Sequence, residues 1–158
     1  MLTRNSLDSN ARSAAISLLN ARVADTIDLA LAAKQAHWNI RGPSFIGVHE
    51  MLDKLRATLD QHVDTMAERV SALGGIARGT TQDAAESTLP PYPTDIRAIP
   101  DHLSALAERI AALGGAVREN IDDADDAGDA DTADIFTAVS RDLDKWLWFI
   151  EAHQPTQG

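Results

Sequence analysis

The chain has 158 residues, 44% of them apolar, enough for one domain with a real core; wholesale disorder is excluded. It has no cysteine, which excludes disulfides, zinc–thiolate sites, iron–sulfur clusters and thiol catalysis, so any metal must use His, Asp or Glu. Twenty-four acids against 14 bases give a net charge of −10, which argues against electrostatic binding of nucleic acid unless the bases cluster.

Apolar residues at helical spacing predict four long helices. The first covers about 10–38, with Ile16, Leu19, Val23, Ile27 and Leu31 on one stripe. Arg41-Gly42-Pro43 ends it, and Ser44 is placed to cap the second. The second covers about 44–73, striped by Val48, Leu52, Leu55, Leu59, Val63, Met66, Val70 and Leu73, and Gly74-Gly75 closes it. Residues 79–100 hold four of the six prolines and form a long crossover, with one short helical turn expected near 82–87. The third helix covers about 99–124 through Leu103, Leu106, Ile110, Leu113, Val117 and Ile121. The fourth covers about 132–153 through Phe136, Val139, Leu143, Trp146 and Ile150, with Asp131 placed as its cap. Short, long, short connections between four helices give an all-α, ferritin-like four-helix bundle with one long crossover carrying a short helix. Residues 1–158 then form a single domain, with 1–9 and 154–158 as short tails.

Segments 67–78 (AERVSALGGIAR) and 107–118 (AERIAALGGAVR) are alike, but their flanks differ, and Asp64 corresponds to Ser104. They share helix composition rather than a duplicated site. Gly114-Gly115 inside the third helix costs about 1 kcal/mol per glycine, and close helix packing is the expected reason.

The chemistry lies on the second helix. Counted from His49 at 100° per residue, Asp53, Asp64 and Glu68 fall at about 40°, 60° and 100°, beside the apolar stripe. His49/Asp53 and Asp64/Glu68 are i,i+4 pairs separated by about 16 Å along the axis, too far apart to share one ion. Two copies of the helix, antiparallel about a twofold near Thr58–Leu59, bring each pair against the other and make two identical sites. His37, at the end of the first helix, can add a ligand on the His49 side. Two imidazoles and three carboxylates suit iron(II) or manganese, with zinc and cobalt as competitors. The plainer reading is a solvated surface, with Asp64 and Glu68 holding Arg69 or Lys54. No histidine has Glu three residues before it, so the Glu-x-x-His site inside a single bundle is excluded.

The run KQAHWNIRGPSFIGVHEMLDKLRATLDQHVDTMAERV (34–70) closely resembles the signature of the Dps family, the DNA-binding proteins from starved cells or mini-ferritins. The resemblance continues through LPPYPTDI (89–96) and DTADIFTAVSRDLDKWLWFIEAH (131–153), so it covers essentially the whole chain. It implies a hollow homo-dodecamer that oxidises iron(II), preferably with hydrogen peroxide rather than dioxygen, and stores ferric mineral. Its ferroxidase sites lie at twofold interfaces. The implied ligands are His37, His49 and Asp53 from one subunit, and Asp64 and Glu68 from its neighbour. Trp38, beside His37, is implied to quench stray oxidising equivalents, although an aromatic anchor in an interface explains it equally. Residues 119–134 hold eight acids in sixteen. By resemblance they surround pores at threefold axes, with Asp126, Asp131 and Asp134 as pore candidates; as plain chemistry they are solvated linker and helix caps.

DNA binding is the weaker implication. The first residues carry Arg4 against Asp8, and the final AHQPTQG has no Lys or Arg, while affinity for DNA depends on neutralising phosphates. The longest stretch free of Asp, Glu, Lys and Arg is nine residues, 13–21, whereas a membrane span needs about 18 or more. The opening MLTRNSLDSNAR lacks the apolar core of a secretion signal, so a cytoplasmic location is expected.

Overall fold

The computed structural model describes residues 3–155. Four long helices and one short one follow in order: α1 Ser9–Asn39, α2 Phe45–Ala72, α3 Thr81–Ala84, α4 Ile99–Asp126 and α5 Ala130–Glu151. The first hairpin packs α1 on α2 and the second packs α4 on α5; α1 against α4 is the main contact between them. This is the ferritin-like bundle expected from the connection lengths.

The predicted stripes make the core. Leu52, Leu55, Leu59 and Met66 of α2 are fully buried, and so are Leu106 and Leu113 of α4 and Phe136 of α5. The stripe on α1 needs correction. Leu19 and Val23 are buried, Ile16 and Ile27 only partly, and Leu31 is 51% exposed. A strict i,i+4 series advances 400° per step, so it drifts about 40° each time and walks off the buried face. Ala15, Ala30, Ala33 and Ala36 fill that face instead, and their small side chains suit close approach of α1 to its neighbours.

The helix ends also revise two expectations. Ser44 occupies the cap position of α2, but in the left-handed region (φ 67°), and its hydroxyl makes no cap bond. The cap of α5 is Asp129, whose side chain accepts from Thr132 N at 3.0 Å; Asp131 lies inside the first turn. The expected short helix is present one residue early, held by a capping box between Thr80 and Asp83. A Cβ added at Gly114 or Gly115 would meet nothing within 4 Å, so packing inside the protomer does not explain these glycines.

Buried polar groups pin the long crossover. Asp25 is fully buried and accepts from Thr88 N at 2.7 Å and from the hydroxyls of Ser87 and Thr88, with Arg22 3.2 Å away. Arg109 donates to the carbonyls of Pro90, Pro91 and Ala105 and lies over the Tyr92 ring. His102 donates from Nε2 to Ile96 O and receives the Tyr92 hydroxyl at Nδ1.

Candidate metal half-site

Residues 37 and 49 meet because the five-residue link between α1 and α2 folds the end of one helix onto the start of the next. The two imidazoles stack with centroids 3.6 Å apart and planes 14° from parallel. Each Nδ1 lies within hydrogen-bond distance of the other residue's carbonyl: His37 Nδ1 is 2.7 Å from His49 O, and His49 Nδ1 is 2.8 Å from His37 O. A carbonyl only accepts, so each Nδ1 must carry the proton in both neutral rings. Both Nε2 atoms are then bare lone pairs, which is the orienting device that metal-binding imidazoles use. Phe45 stacks on the far side of His49, with centroids 5.0 Å apart.

Asp53 stands beside His37 from the next turn of α2. Its Oδ1 lies 3.6 Å from His37 Nε2 and 2.5 Å from Lys34 Nζ. The hydrogen bond from Lys34 does most to hold the Asp53 carboxyl below its usual range; partial desolvation opposes it, and the two histidines add a smaller pull. Asp53 is therefore an anion at neutral pH.

Asp64 and Glu68 lie further along α2, exposed, with no hydrogen bond or ion pair among the described residues. The partners proposed for them by the surface reading are elsewhere. Arg69 turns to Asp129, 2.8 Å away, and to the Thr132 hydroxyl, and Lys54 forms no ion pair among the described residues. No three His, Asp or Glu side chains among the described residues of one protomer converge as a complete metal cage. The protomer thus holds two separated donor groups on one side of α2: an imidazole–carboxylate half and a carboxylate half.

The other histidines are engaged elsewhere. His62 pairs with Asp142 at 2.6 Å, His102 holds the crossover, and His153 Nδ1 bonds Phe149 O. Trp38 is 69% exposed beside His37. Asp126, Asp131 and Asp134 are all exposed around the α4–α5 turn, whereas Asp129 is buried there. Burial pushes the Asp129 carboxyl up, but hydrogen bonds from Thr132 and the Arg69 guanidinium outweigh this and hold it below the usual carboxylate range.

Sequence reasoning missed Lys34 and Phe45 as neighbours of the site. Lys34 was legible, since it precedes His37 by three residues and shares its face of α1. Phe45 owes its place to the turn at Ser44, which sequence spacing does not specify.

A family model described as a ferritin-like domain matches residues 16–155. The chain is 59% identical over 152 residues to the DNA protection during starvation protein of Agrobacterium fabrum, spanning 96% of this chain and 94% of that one. This chain belongs to the Dps family. A Dps structure from Mycobacterium smegmatis superposes with a TM-score of 0.92 at 31% identity, covering 99% of this chain and 96% of that one. The structure of DpsC from Streptomyces coelicolor gives 0.92 at 30% identity, covering 99% and 94%. The Dps resemblance read from residues 34–70 and the bundle read from the connection lengths therefore agree with sequence and fold comparisons alike.

Proposed function

We propose that this protein is an iron-storing ferroxidase that assembles as a hollow dodecamer and oxidises iron(II) at sites shared between twofold-related subunits. The observation that carries this reading is the split donor set. His37 and His49 present bare Nε2 atoms, with Asp53 beside His37, while Asp64 and Glu68 have no partner among the described residues and lie on the same side of α2. An antiparallel α2–α2 contact joins one half of each protomer to the complementary half of its neighbour, and the twofold makes two such sites.

Iron is the substrate. The imidazoles and Asp53 hold the ion, and the partner carboxylates supply hard anionic oxygen that favours the ferric product. Hydrogen peroxide is the preferred oxidant, with dioxygen as the slower one. Two iron(II) ions give one electron each; one peroxide takes both electrons and two protons, breaks its O–O bond and leaves two waters. No hydroxyl radical is released, and the DNA nearby is spared. Asp126, Asp131 and Asp134 form a carboxylate ring at each threefold pore, where a negative field concentrates cations and steers them inward. Trp38 is suited to intercept stray oxidising equivalents beside His37.

Protection of DNA by removing iron and peroxide fits this chain better than protection by coating. Thr3 donates to Ala72 O, Leu7 packs on the core, and Arg12 Nε donates to Leu7 O, so residues 3–8 lie against their own protomer. Their one basic residue, Arg4, is not on a free arm. Among the described residues no helix is long and apolar enough to cross a membrane, and we assign the shell to the cytoplasm.

The test is anaerobic loading with iron(II) followed by peroxide. Rapid oxidation is expected for the wild type. His49→Ala, and Asp64→Ala with Glu68→Ala, should lose it while the shell stays assembled. Wild-type oxidation no faster than a buffer control overturns the reading. A gel shift of DNA at about 150 mM salt, where weak phosphate contacts are screened, would favour coating instead.

A further inference from the structure

We propose that Lys34 is a built-in competitor for the metal: its ammonium must leave Asp53 before a metal ion can be held between Asp53 and His37. The inference rests on the site assignment above and adds a residue that controls loading. One oxygen is contested. Asp53 Oδ1 is 3.6 Å from His37 Nε2, and the Lys34 ammonium sits 2.5 Å from that same oxygen. Two donors each about 2.1 Å from a common ion stand 3.6 Å apart when the angle at the ion is about 120°, so the pair can hold a metal with little movement. A metal placed there would share its oxygen with the ammonium, with the two cations less than about 5 Å apart.

Lys34 is suited to departure. Its side chain is 28% exposed and Asp53 is 50% exposed, so the ion pair reaches solvent and is weak enough to exchange. The ammonium is a compact charge on a flexible stem, with no second acceptor among the described residues to fix it. Bonded to the Asp53 oxygen that faces His37, the ammonium neutralises that carboxylate. An incoming divalent ion replaces one charge by two and gains the two imidazoles, which an ammonium cannot use.

The test is anaerobic titration of the assembled shell with cobalt(II), followed by calorimetry and by the visible bands of the bound ion. Lys34→Gln and Lys34→Met should bind cobalt roughly fivefold more tightly, the scale of a half-exposed ion pair. Lys34→Arg should stay within about twofold of wild type, because it keeps the charge. Unchanged or weaker binding in both neutral variants overturns the proposal, as does Lys34→Arg matching them. Asp64→Asn with Glu68→Gln, titrated in parallel, reads the shared-site assignment separately. If that pair leaves cobalt binding unchanged, the intersubunit reading fails, while the Lys34 comparison still reports on the Asp53 side.

Discussion

Replacing Asp129 tests how the acidic turn is built. Its carboxylate is 1% exposed and performs three tasks: it caps α5 through Thr132 N at 3.0 Å, accepts the Thr132 hydroxyl at 2.5 Å, and pairs with Arg69 at 2.8 Å. Asp129→Ala removes the cap, about 1 kcal/mol. It also leaves Arg69, whose side chain is only 14% exposed, without its anion. Loss of one partner of a fully buried pair costs about 3–5 kcal/mol, and the remaining exposure of Arg69 moves the expected total to about 3–4 kcal/mol. Asp129→Asn keeps the capping oxygen and should cost less, about 2 kcal/mol, from the lost charge alone.

The pH dependence follows from the depressed carboxyl. Asp129 binds its proton more weakly folded than unfolded. Its contribution is therefore complete above the unfolded value near 4 and disappears as the pH falls through the lower folded value. Urea unfolding at fixed protomer concentration, at pH 7 and again near pH 2.5, measures both effects. The gap between wild type and Asp129→Asn should be clear at neutral pH and shrink in acid. A gap below about 0.5 kcal/mol at pH 7, the size of an ordinary surface substitution, or one that is unchanged in acid, refutes the reasoning.

Three further substitutions probe the frame. Asp25→Ala should cost about 3–5 kcal/mol by stranding Arg22 and the Ser87–Thr88 donors, and amide exchange should accelerate in residues 85–98 before the bundle opens. Phe136→Ala, at a fully buried position, should cost about 3–5 kcal/mol in thermal or urea unfolding. Gly115→Ala points the other way: the added methyl meets open space, so dissociated protomers should gain about 0.5–1 kcal/mol.

The bundle was legible because its information is local and periodic. The stripes on α2, α4 and α5 are carried by large aliphatic residues, and proline and glycine mark the breaks. On α1 the core face is written in alanine, which is common on every face of that helix, so the aliphatic i,i+4 series misdirected the reading to Leu31. Ser44 shows a second limit. Cap chemistry at that position requires extended backbone, whereas the Gly42-Pro43 turn places Ser44 at φ 67°. Asp129 was hidden among seven other acids of 119–134, and only its burial beside Arg69 sets it apart. For the site, helix arithmetic put the two pairs on one side of α2, too far apart to share one ion within a protomer, and left the choice between a second chain and a plain solvated surface open. The reciprocal bonds between His37 and His49, and Lys34 on Asp53, depend on how α1 folds back onto α2 and on side-chain reach.

The most direct measurement of the shared site is complementation in mixed shells. His49→Ala lacks the imidazole half but keeps Asp64 and Glu68; Asp64→Ala with Glu68→Ala lacks the carboxylate half but keeps the histidines. Each is expected to be inactive alone. Dissociated together and reassembled at equal ratio, half of the twofold contacts become mixed, and each mixed contact regains one of its two sites. Peroxide-driven iron(II) oxidation should therefore return to about a quarter of the wild-type rate. Assembled mixed shells that stay as inactive as either parent would contradict a site built from two protomers.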